Sequence, residues 1–263
     1  MCGIVGITST DDSVSDTLSG LQALEYRGYD SAGIACSNDN NIHYQKSIGK
    51  ISNLIHQLNN NQLKGKTTIA HTRWATHGKP HHLNAHPFVK ENCALVHNGI
   101  IENYDELINS FSVDRNNLES ETDTEVIAEL YSKLLIKFTP IEALMNLFDK
   151  IEGTFALAFL VKGSSSIYAA RKGSPLVLGL SNNSKALSSD LLGLPESVNQ
   201  TIFLEENDIV EINNSSFSIF NTKGEEVERE IHSHSSQADF NTKGSFKHFM
   251  QKEIHHQPIS IED

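Results

Sequence analysis

Cys2 is the first residue of this chain whose type and position could support chemistry. A thiol attacks carbon as its thiolate, so a catalytic cysteine needs a base or a lowered pKa. If Met1 is removed, Cys2 also carries a free α-amine, and an amine that titrates near ~7.7–8.0 could act as that base. The apolar run 4–7 predicts a buried strand directly after it. Taken alone, these residues favour a buried terminal strand with an incidental thiol.

The second stretch is AHTRWATHG at positions 70–78. Arg73 offers a planar fork that suits a carboxylate, and Thr76 and His77 add hydrogen-bonding groups. Trp74 could cover a pocket. The stretch belongs to a long polar run without apolar periodicity, and long loops in compact domains are usually functional. A polar surface loop is the alternative.

Two further sites combine suitable groups. The side-chain amide of Asn98 and the backbone N–H of Gly99 could together stabilise an oxyanion, although Asn-Gly by itself favours a hairpin turn. Asp123 lies at a predicted helix start, where a carboxylate could bind an ammonium group. Thr122 and Glu125 have the spacing of a capping box, so helix capping already explains an acidic residue there.

The thirteen histidines raise the question of a metal site. His81, His82 and His86 could be combined into a ligand set, but their spacing is not that of a zinc site. A surface loop is the preferred interpretation, and we expect neither a metal nor a cofactor. Cys36 and Cys93 fall in apolar strands, where a thiol is inert.

These groups must be positioned by a mixture of strands and helices. Helices are predicted after Ser13, over 51–63, after Thr122 and after Thr139. Strands are predicted over 34–36, 67–70, 93–97, 154–161, 167–170, 176–180, 201–204 and 209–212, with a hairpin over 216–231. Strands followed by two or three helices and then mostly strands indicate a layered α+β protein.

Composition restricts the class of protein. The 263 residues carry a net charge of −12, which argues against nucleic acid or an anionic membrane as a partner. Three cysteines are too few for a disulfide framework and favour a reducing compartment. No signal peptide or membrane span is evident, so we expect a cytoplasmic protein.

Nine motifs in this order resemble one family. They are MCGIVGI at 1–7, LEYRGYDSAG at 24–33, AHTRWATHG at 70–78, NAHP at 84–87, HNGIIENY at 97–104, SETDTEV at 120–126, RKGSPLVLGL at 171–180, FLEENDIVEI at 203–212 and KHFMQKEIHHQP at 247–258. The chain is similar to the class II glutamine amidotransferases, which are N-terminal-nucleophile hydrolases. The similarity is strongest to the branch that makes glucosamine 6-phosphate from fructose 6-phosphate.

The resemblance implies a four-layer αββα sandwich with two central, mainly antiparallel sheets. It also implies that Cys2, freed of Met1, attacks the side-chain amide of L-glutamine with its own α-amine as base. Asn98 and the Gly99 N–H would form the oxyanion hole. Arg73 would bind the α-carboxylate of glutamine, and Asp123 its α-amine. The expected products are glutamate and ammonia.

The remaining implied roles concern the rim of the site. Thr76 and His77 would lie in a loop that closes over glutamine, and Trp74 would gate the passage of ammonia to the next domain. Arg27 would lie beside the nucleophile. No cofactor or metal is implied.

The resemblance also implies a domain arrangement. We expect a glutaminase domain over 1–240 and, over 241–263, a linker toward a sugar-isomerase half that this sequence lacks. The expected partners are L-glutamine and that half, within a homo-oligomeric full-length enzyme. Two alternatives stay open: the glutaminase domain of another class II amidotransferase, such as a purine-pathway or asparagine-forming member, or a glutamine-sensing module without turnover.

Overall fold

A computed structural model describes residues 2–38, 40–60, 62–75, 79–111 and 113–233, together with Gln251, Ile254 and His255. The helices are α1 (Val14–Ala23), α2 (Ile51–Asn60), α3 (Tyr104–Ser110), α4 (Asp123–Leu134) and α5 (Pro140–Phe148). The strands are β1 (Gly3–Ser9), β2 (Ser31–Asn38), β3 (Asn41–Ile48), β4 (Thr67–Arg73), β5 (Phe88–Val89), β6 (Cys93–Ile101), β7 (Gly153–Val161), β8 (Ile167–Lys172), β9 (Val177–Leu180), β10 (Ser184–Ser188), β11 (Gln200–Phe203), β12 (Ile209–Ile212), β13 (Phe217–Phe220) and β14 (His232–Ser233).

The strands form two antiparallel sheets. The first has eight strands in the order β14-β11-β9-β10-β1-β4-β2-β3, so the N-terminal strand β1 is central. The second has six strands in the order β13-β12-β8-β7-β6-β5. In the first sheet β1 pairs with β4 on one side, where Ile4 lies opposite His71, and with β10 on the other. A residue that precedes β1 is therefore held near the centre of the fold.

Three buried clusters define the layers. Ile4 and Ile69 of the first sheet share a core with Val96 of the second, so the two sheets pack face to face. The other face of the first sheet packs on α1 and α2, and the other face of the second sheet packs on α3, α4 and α5. This confirms the predicted α+β four-layer αββα sandwich.

Local sequence explains the helices that flank the second sheet. Val126, Ile127, Leu130 and Tyr131 recur at helical spacing along α4, and each is completely buried. At the start of α5, Pro140 occupies the first helical position and the backbone N–H of Thr139 donates to Glu142 at 3.0 Å. Both helices were predicted, α4 from its apolar face and α5 from the Thr139-Pro140 pair.

The expected turn at Asn98-Gly99 is wrong. Strand β6 continues through both residues, which lie opposite Ala156 and Phe155 of β7. Gly99 has a φ of +132°, and a Cβ added there would lie 2.0 Å from the carbonyl oxygen of Thr154. The glycine is required by close packing against the neighbouring strand rather than by a chain reversal.

The expected capping box at α4 is also wrong. Thr122 takes the N-cap position without a side-chain bond to the helix. Glu125 instead accepts the backbone N–H groups of Glu119 and Ser120, at 3.1 and 2.6 Å, and Lys90 donates to it at 2.8 Å. Thus Glu125 ties down the segment before the helix, and Asp123 is left to make other contacts.

Some strand predictions were incomplete. Strand β3 was not predicted because it is a largely exposed edge strand with little apolar alternation. The hairpin predicted over 216–231 has only its first strand, β13, followed by an isolated bridge between Phe220 and Glu226. Almost all of the predicted linker, 241–263, lies outside the described residues. None of the described helices is long and apolar enough to cross a membrane.

Candidate active site

The candidate site lies between the two sheets, at the end where inward-facing rows of apolar side chains are continued by polar side chains. Alternate residues of a strand point to the same face, so Ile69, His71 and Arg73 form one row along β4. Ile69 lies in the core between the sheets, whereas His71 and Arg73 extend that row as buried polar groups. In β6, Asn98 continues the row of the buried Val96 in the same way.

Cys2 lies at this boundary, half-buried just before β1. Its Sγ accepts the backbone N–H of Trp74 at 3.3 Å. Its carbonyl oxygen accepts two side-chain donors, Nε of Arg27 at 3.0 Å and Nδ2 of Asn98 at 3.1 Å. These bonds anchor the nucleophile candidate to both sheets and to the turn that follows α1.

Burial raises the pKa of the Cys2 thiol, and the Trp74 N–H bond together with the charges of Arg73 and Arg27 opposes this rise only in part. The thiol is therefore protonated at neutral pH and needs a base to become a nucleophile. Cys36 and Cys93 are buried deeper, and burial raises the pKa of Cys36 to about 11. Neither of them lines the cleft beside Cys2.

Gly99 and Asn98 lie near Cys2 and carry two different donor groups, a backbone N–H and a side-chain amide. Gly99 lines the same cleft as Cys2, and no side chain at this position would fit beside Thr154. The amide nitrogen of Asn98 uses one hydrogen on the Cys2 carbonyl and has a second one to give. Asn98 does not itself line the cleft as the side chains stand.

Arg73 and Asp123 place opposite charges in the same cleft. Arg73 is buried at the end of β4, and burial lowers its pKa, while Cys2, Asp30 and Asp123 oppose that decrease. Asp123 is the first residue of α4 and accepts the backbone N–H of Ile101 at 2.7 Å. Asp123 thus has a partner outside its own helix, which helix capping alone does not explain.

The rim of the cleft is aromatic. Trp74 is 44% exposed, and its ring meets that of Tyr29 edge to face with centroids 5.7 Å apart. Asp30, which belongs to the motif at 24–33 but was given no role from the sequence, accepts the backbone N–H of Ala75 at 2.8 Å. It holds the start of the polar stretch in place. Thr76 and His77 lie outside the described residues.

Three buried histidines lie at the cleft or next to it: His71, His86 and His97. From the sequence, His86 was considered only as a metal ligand, and His71 and His97 were given no role. The His71 and His86 rings stack with centroids 4.0 Å apart. The Thr124 hydroxyl lies 2.9 Å from Nδ1 of His97 and 3.3 Å from Nε2 of His86. Burial lowers the pKa of His71 to about 3 and that of the other two below the usual value, so all three are neutral near pH 7.

Thr124 connects these rings to the charged part of the site. Its hydroxyl lies 3.3 Å from Oδ1 of Asp123, which can only accept. The hydroxyl therefore donates to Asp123 and accepts from His97. His71 could have been predicted from strand alternation, because it points to the same face of β4 as Arg73. Apart from its position in a helix, no sequence signal indicates a role for Thr124.

The ligand set considered from sequence does not assemble among the residues that the structure describes. His81 instead caps a short turn, where its Nδ1 accepts the backbone N–H of Leu83 at 3.2 Å. No group of three or more His, Cys, Asp or Glu side chains in the described ranges is arranged to hold a metal ion.

Known proteins resemble this chain in sequence. Residues 71–196 match a protein-family model described as a glutamine amidotransferase domain. The chain is also 43% identical, over 99% of its length, to the glutamine–fructose-6-phosphate aminotransferase (isomerizing) of Photorhabdus laumondii. The corresponding protein of Caulobacter vibrioides is 42% identical over 98% of this chain. This chain contains a class II glutamine amidotransferase domain. It spans 43% of the length of both relatives.

Solved structures agree on the fold of this amidotransferase domain. Glutamine phosphoribosylpyrophosphate amidotransferase from B. subtilis superposes with a TM-score of 0.71 at 24% identity, over 84% of this chain and 49% of that one. A structure described as the allosteric regulatory enzyme of purine biosynthesis gives a TM-score of 0.72, also at 24% identity and with the same coverage of both chains. Both structures therefore support the predicted four-layer sandwich fold.

Proposed function

We propose that this amidotransferase domain hydrolyses the side-chain amide of L-glutamine to glutamate and ammonia, with Cys2 as the nucleophile. The observation that carries the proposal is one cleft lined by Cys2, Gly99, Arg73 and Asp123, with the Asn98 amide bonded to the backbone of Cys2. A thiol, two potential oxyanion donors and a pair of opposite charges are the groups that amide transfer from a free amino acid requires.

Glutamine is a zwitterion, so its backbone groups call for one cation and one anion. Arg73 supplies a planar fork for the α-carboxylate, and Asp123 supplies a carboxylate for the α-ammonium. Because Ile101 fixes one oxygen of Asp123 at 2.7 Å, the direction of this carboxylate is set before glutamine binds. Thr76 and His77 stay predicted glutamine contacts.

The base in this proposal is the α-amine of Cys2, which requires the loss of Met1. The amine takes the thiol proton while Sγ attacks the amide carbon, and the negative carbonyl oxygen is held by Asn98 Nδ2 and the Gly99 N–H. The C–N bond then breaks, and the nitrogen leaves as ammonia after taking up that proton. Water then adds to the thioester and the C–S bond breaks, which releases glutamate and regenerates the Cys2 thiol.

The destination of the ammonia is a proposal that rests on the relatives. They are named glutamine–fructose-6-phosphate aminotransferases and are more than twice as long as this chain. We propose that the domain supplies ammonia to a fused sugar-isomerase half, which converts fructose 6-phosphate into glucosamine 6-phosphate in a homo-oligomer. In this arrangement the exposed Trp74 gates the ammonia and Arg27 supports the nucleophile. A cytoplasmic location stays a prediction from the sparse cysteines.

The test is glutamate release from L-glutamine by the wild type, Cys2→Ala and the matched control Cys36→Ala. We expect release by the wild type and Cys36→Ala and loss of at least ~10³-fold in Cys2→Ala. Glutamine binding without release by the wild type would favour a sensing module instead. For the acceptor, a chain that includes the second half should form glucosamine 6-phosphate from fructose 6-phosphate, and no hexosamine product would favour another amidotransferase.

A further inference from the structure

His71 makes its only described ring hydrogen bonds through one nitrogen. Nε2 lies 3.0 Å from Oδ1 of Asn98 and 3.0 Å from the backbone carbonyl oxygen of His97. Nδ1 has no hydrogen-bond partner among the described residues, and its ring stacks on that of His86. The side chain is completely buried, so water does not compete for Nε2.

The chemistry of the partners fixes where the protons lie. The Cys2 carbonyl oxygen can only accept, so the Asn98 group that faces it at 3.1 Å is the amide nitrogen. The amide oxygen of Asn98 therefore faces His71. Since this oxygen and the His97 carbonyl are both acceptors, Nε2 of His71 must carry the hydrogen and donate to them.

Rotation of the Asn98 amide by half a turn would reverse this pattern. It would place two oxygens against each other at the Cys2 carbonyl and two N–H donors against each other at His71. Each mismatch leaves buried polar groups without a hydrogen-bond partner, which disfavours the rotated orientation. A neutral donor at His71 thus favours the one orientation in which the Asn98 N–H groups point toward the nucleophile.

We propose that His71 is a positioning residue that keeps the Asn98 amide nitrogen directed at the reaction centre. The inference rests on the proposed function, because it assigns to Asn98 the stabilisation of the oxyanion. His71 touches neither substrate nor reacting atoms and acts through Asn98. Neutrality at working pH suits this role, since burial lowers the pKa of His71 to about 3.

The kinetic test compares His71→Met, which removes the donor, with His71→Gln, whose amide nitrogen can reach the position of Nε2. An oxyanion donor contributes on the order of 10²–10³ in kcat, so partial misalignment should lower kcat for glutamine hydrolysis by roughly 10–100-fold in His71→Met. The KM for glutamine should stay within about threefold, because Arg73 and Asp123 are untouched. His71→Gln should recover most of the loss, and the control His56→Met, on the exposed face of α2, should match the wild type.

A double-variant cycle separates positioning from general damage to the fold. In an Asn98→Ala background, His71→Met should cost less than about threefold, because the group it positions is gone. An equal loss in both backgrounds, or no recovery in His71→Gln, would overturn the inference. If wild type itself releases no glutamate, the proposed function fails instead.

A measurement on the wild type covers the case in which the His71 variants do not fold. The nitrogen chemical shifts of labelled histidine distinguish the two neutral tautomers. We expect His71 to carry its hydrogen on Nε2 and to stay neutral down to about pH 5. A hydrogen on Nδ1, or a charged ring at neutral pH, would overturn the inference without reference to activity.

Discussion

The carboxylate of Asp123 accepts the backbone N–H of Ile101 at 2.7 Å, which joins the first turn of α4 to the last residue of β6. This bond sets the direction of the carboxylate relative to Gly99 and Asn98 on the same strand. A residue with the sequence signature of a helix start is thereby turned toward the cleft. Because an asparagine at this position could keep the same contact, the contribution of the Asp123 charge can be tested without changing the shape of the side chain.

Asp123→Asn should weaken glutamine binding without dismantling the site. The asparagine oxygen can still accept from Ile101, but the charge that faces the α-ammonium is lost. A hydrogen bond to a charged group contributes about 1.5–3 kcal/mol, so KM should rise roughly 10–100-fold while kcat changes by less than about threefold. Asp105→Asn is the control, because Asp105 is exposed and bonds only Arg115 among the described side chains. Equal KM values for both variants would contradict the role of Asp123.

Gly99→Ala should destabilise the fold far more than an alanine at another left-handed glycine. At Gly99 the new Cβ would lie 2.0 Å from the Thr154 carbonyl oxygen, whereas at Gly163, with φ of +80°, the nearest atom is 3.8 Å away. Urea denaturation should show a loss of roughly 3 kcal/mol or more for Gly99→Ala and about 1–2 kcal/mol for Gly163→Ala. Equal losses of stability in the two variants would mean that strand β7 moves to accommodate the new methyl group. The close contact between Gly99 and β7 would then not be required.

The buried histidines predict a specific dependence of stability on pH. The folded-state pKa of His71 is lowered to about 3, so between about pH 6.5 and pH 3 the unfolded chain binds a proton that the native protein does not. Stability therefore rises with pH through this window and is fully present above about pH 6.5. Lowering the pH from about 7.5 to about 5 should remove about 2 kcal/mol through His71 alone.

Denaturant unfolding of His71→Gln at the same two pH values tests this linkage. Glutamine does not titrate, so the variant should lose about 2 kcal/mol less than the wild type between them. His56→Gln replaces an exposed histidine and should keep the wild-type difference. A His71→Gln variant with the full wild-type pH dependence would show that His71 is protonated in the native protein.

Much of the fold follows from the sequence because its signals are local. The apolar face of α4 and the Thr139-Pro140 start of α5 depend on residues a few positions apart. The turn predicted at Asn98-Gly99 was wrong because a turn is the usual role of this pair. Only the pairing of β6 with β7 reveals that the strand continues. Which strands neighbour each other depends on contacts such as Val5 with Ser188, which no local pattern encodes.

The residues of the candidate site also fall into two groups: those that the sequence indicates and those that only the packed structure reveals. Cys2 and Arg73 could be proposed from the chemistry of their side chains and from family resemblance. His71 and Thr124 could not, because they act through Asn98 and Asp123, and hydrogen bonds between buried side chains depend on how the two sheets and α4 are packed. Strand alternation predicts the face of β4 on which His71 lies, but it does not predict its hydrogen-bond partner.

In the mechanism proposed above, Cys2 reacts only as the first residue of the processed chain. Acid quenching of the protein during turnover with L-glutamine, followed by mass measurement of its N-terminal peptide, tests this directly. We expect a peptide that begins at Cys2, with a fraction of it carrying a γ-glutamyl group on the thiol. Full glutaminase activity in protein that retains Met1, or a glutamyl group on Cys36 or Cys93 instead, would contradict it.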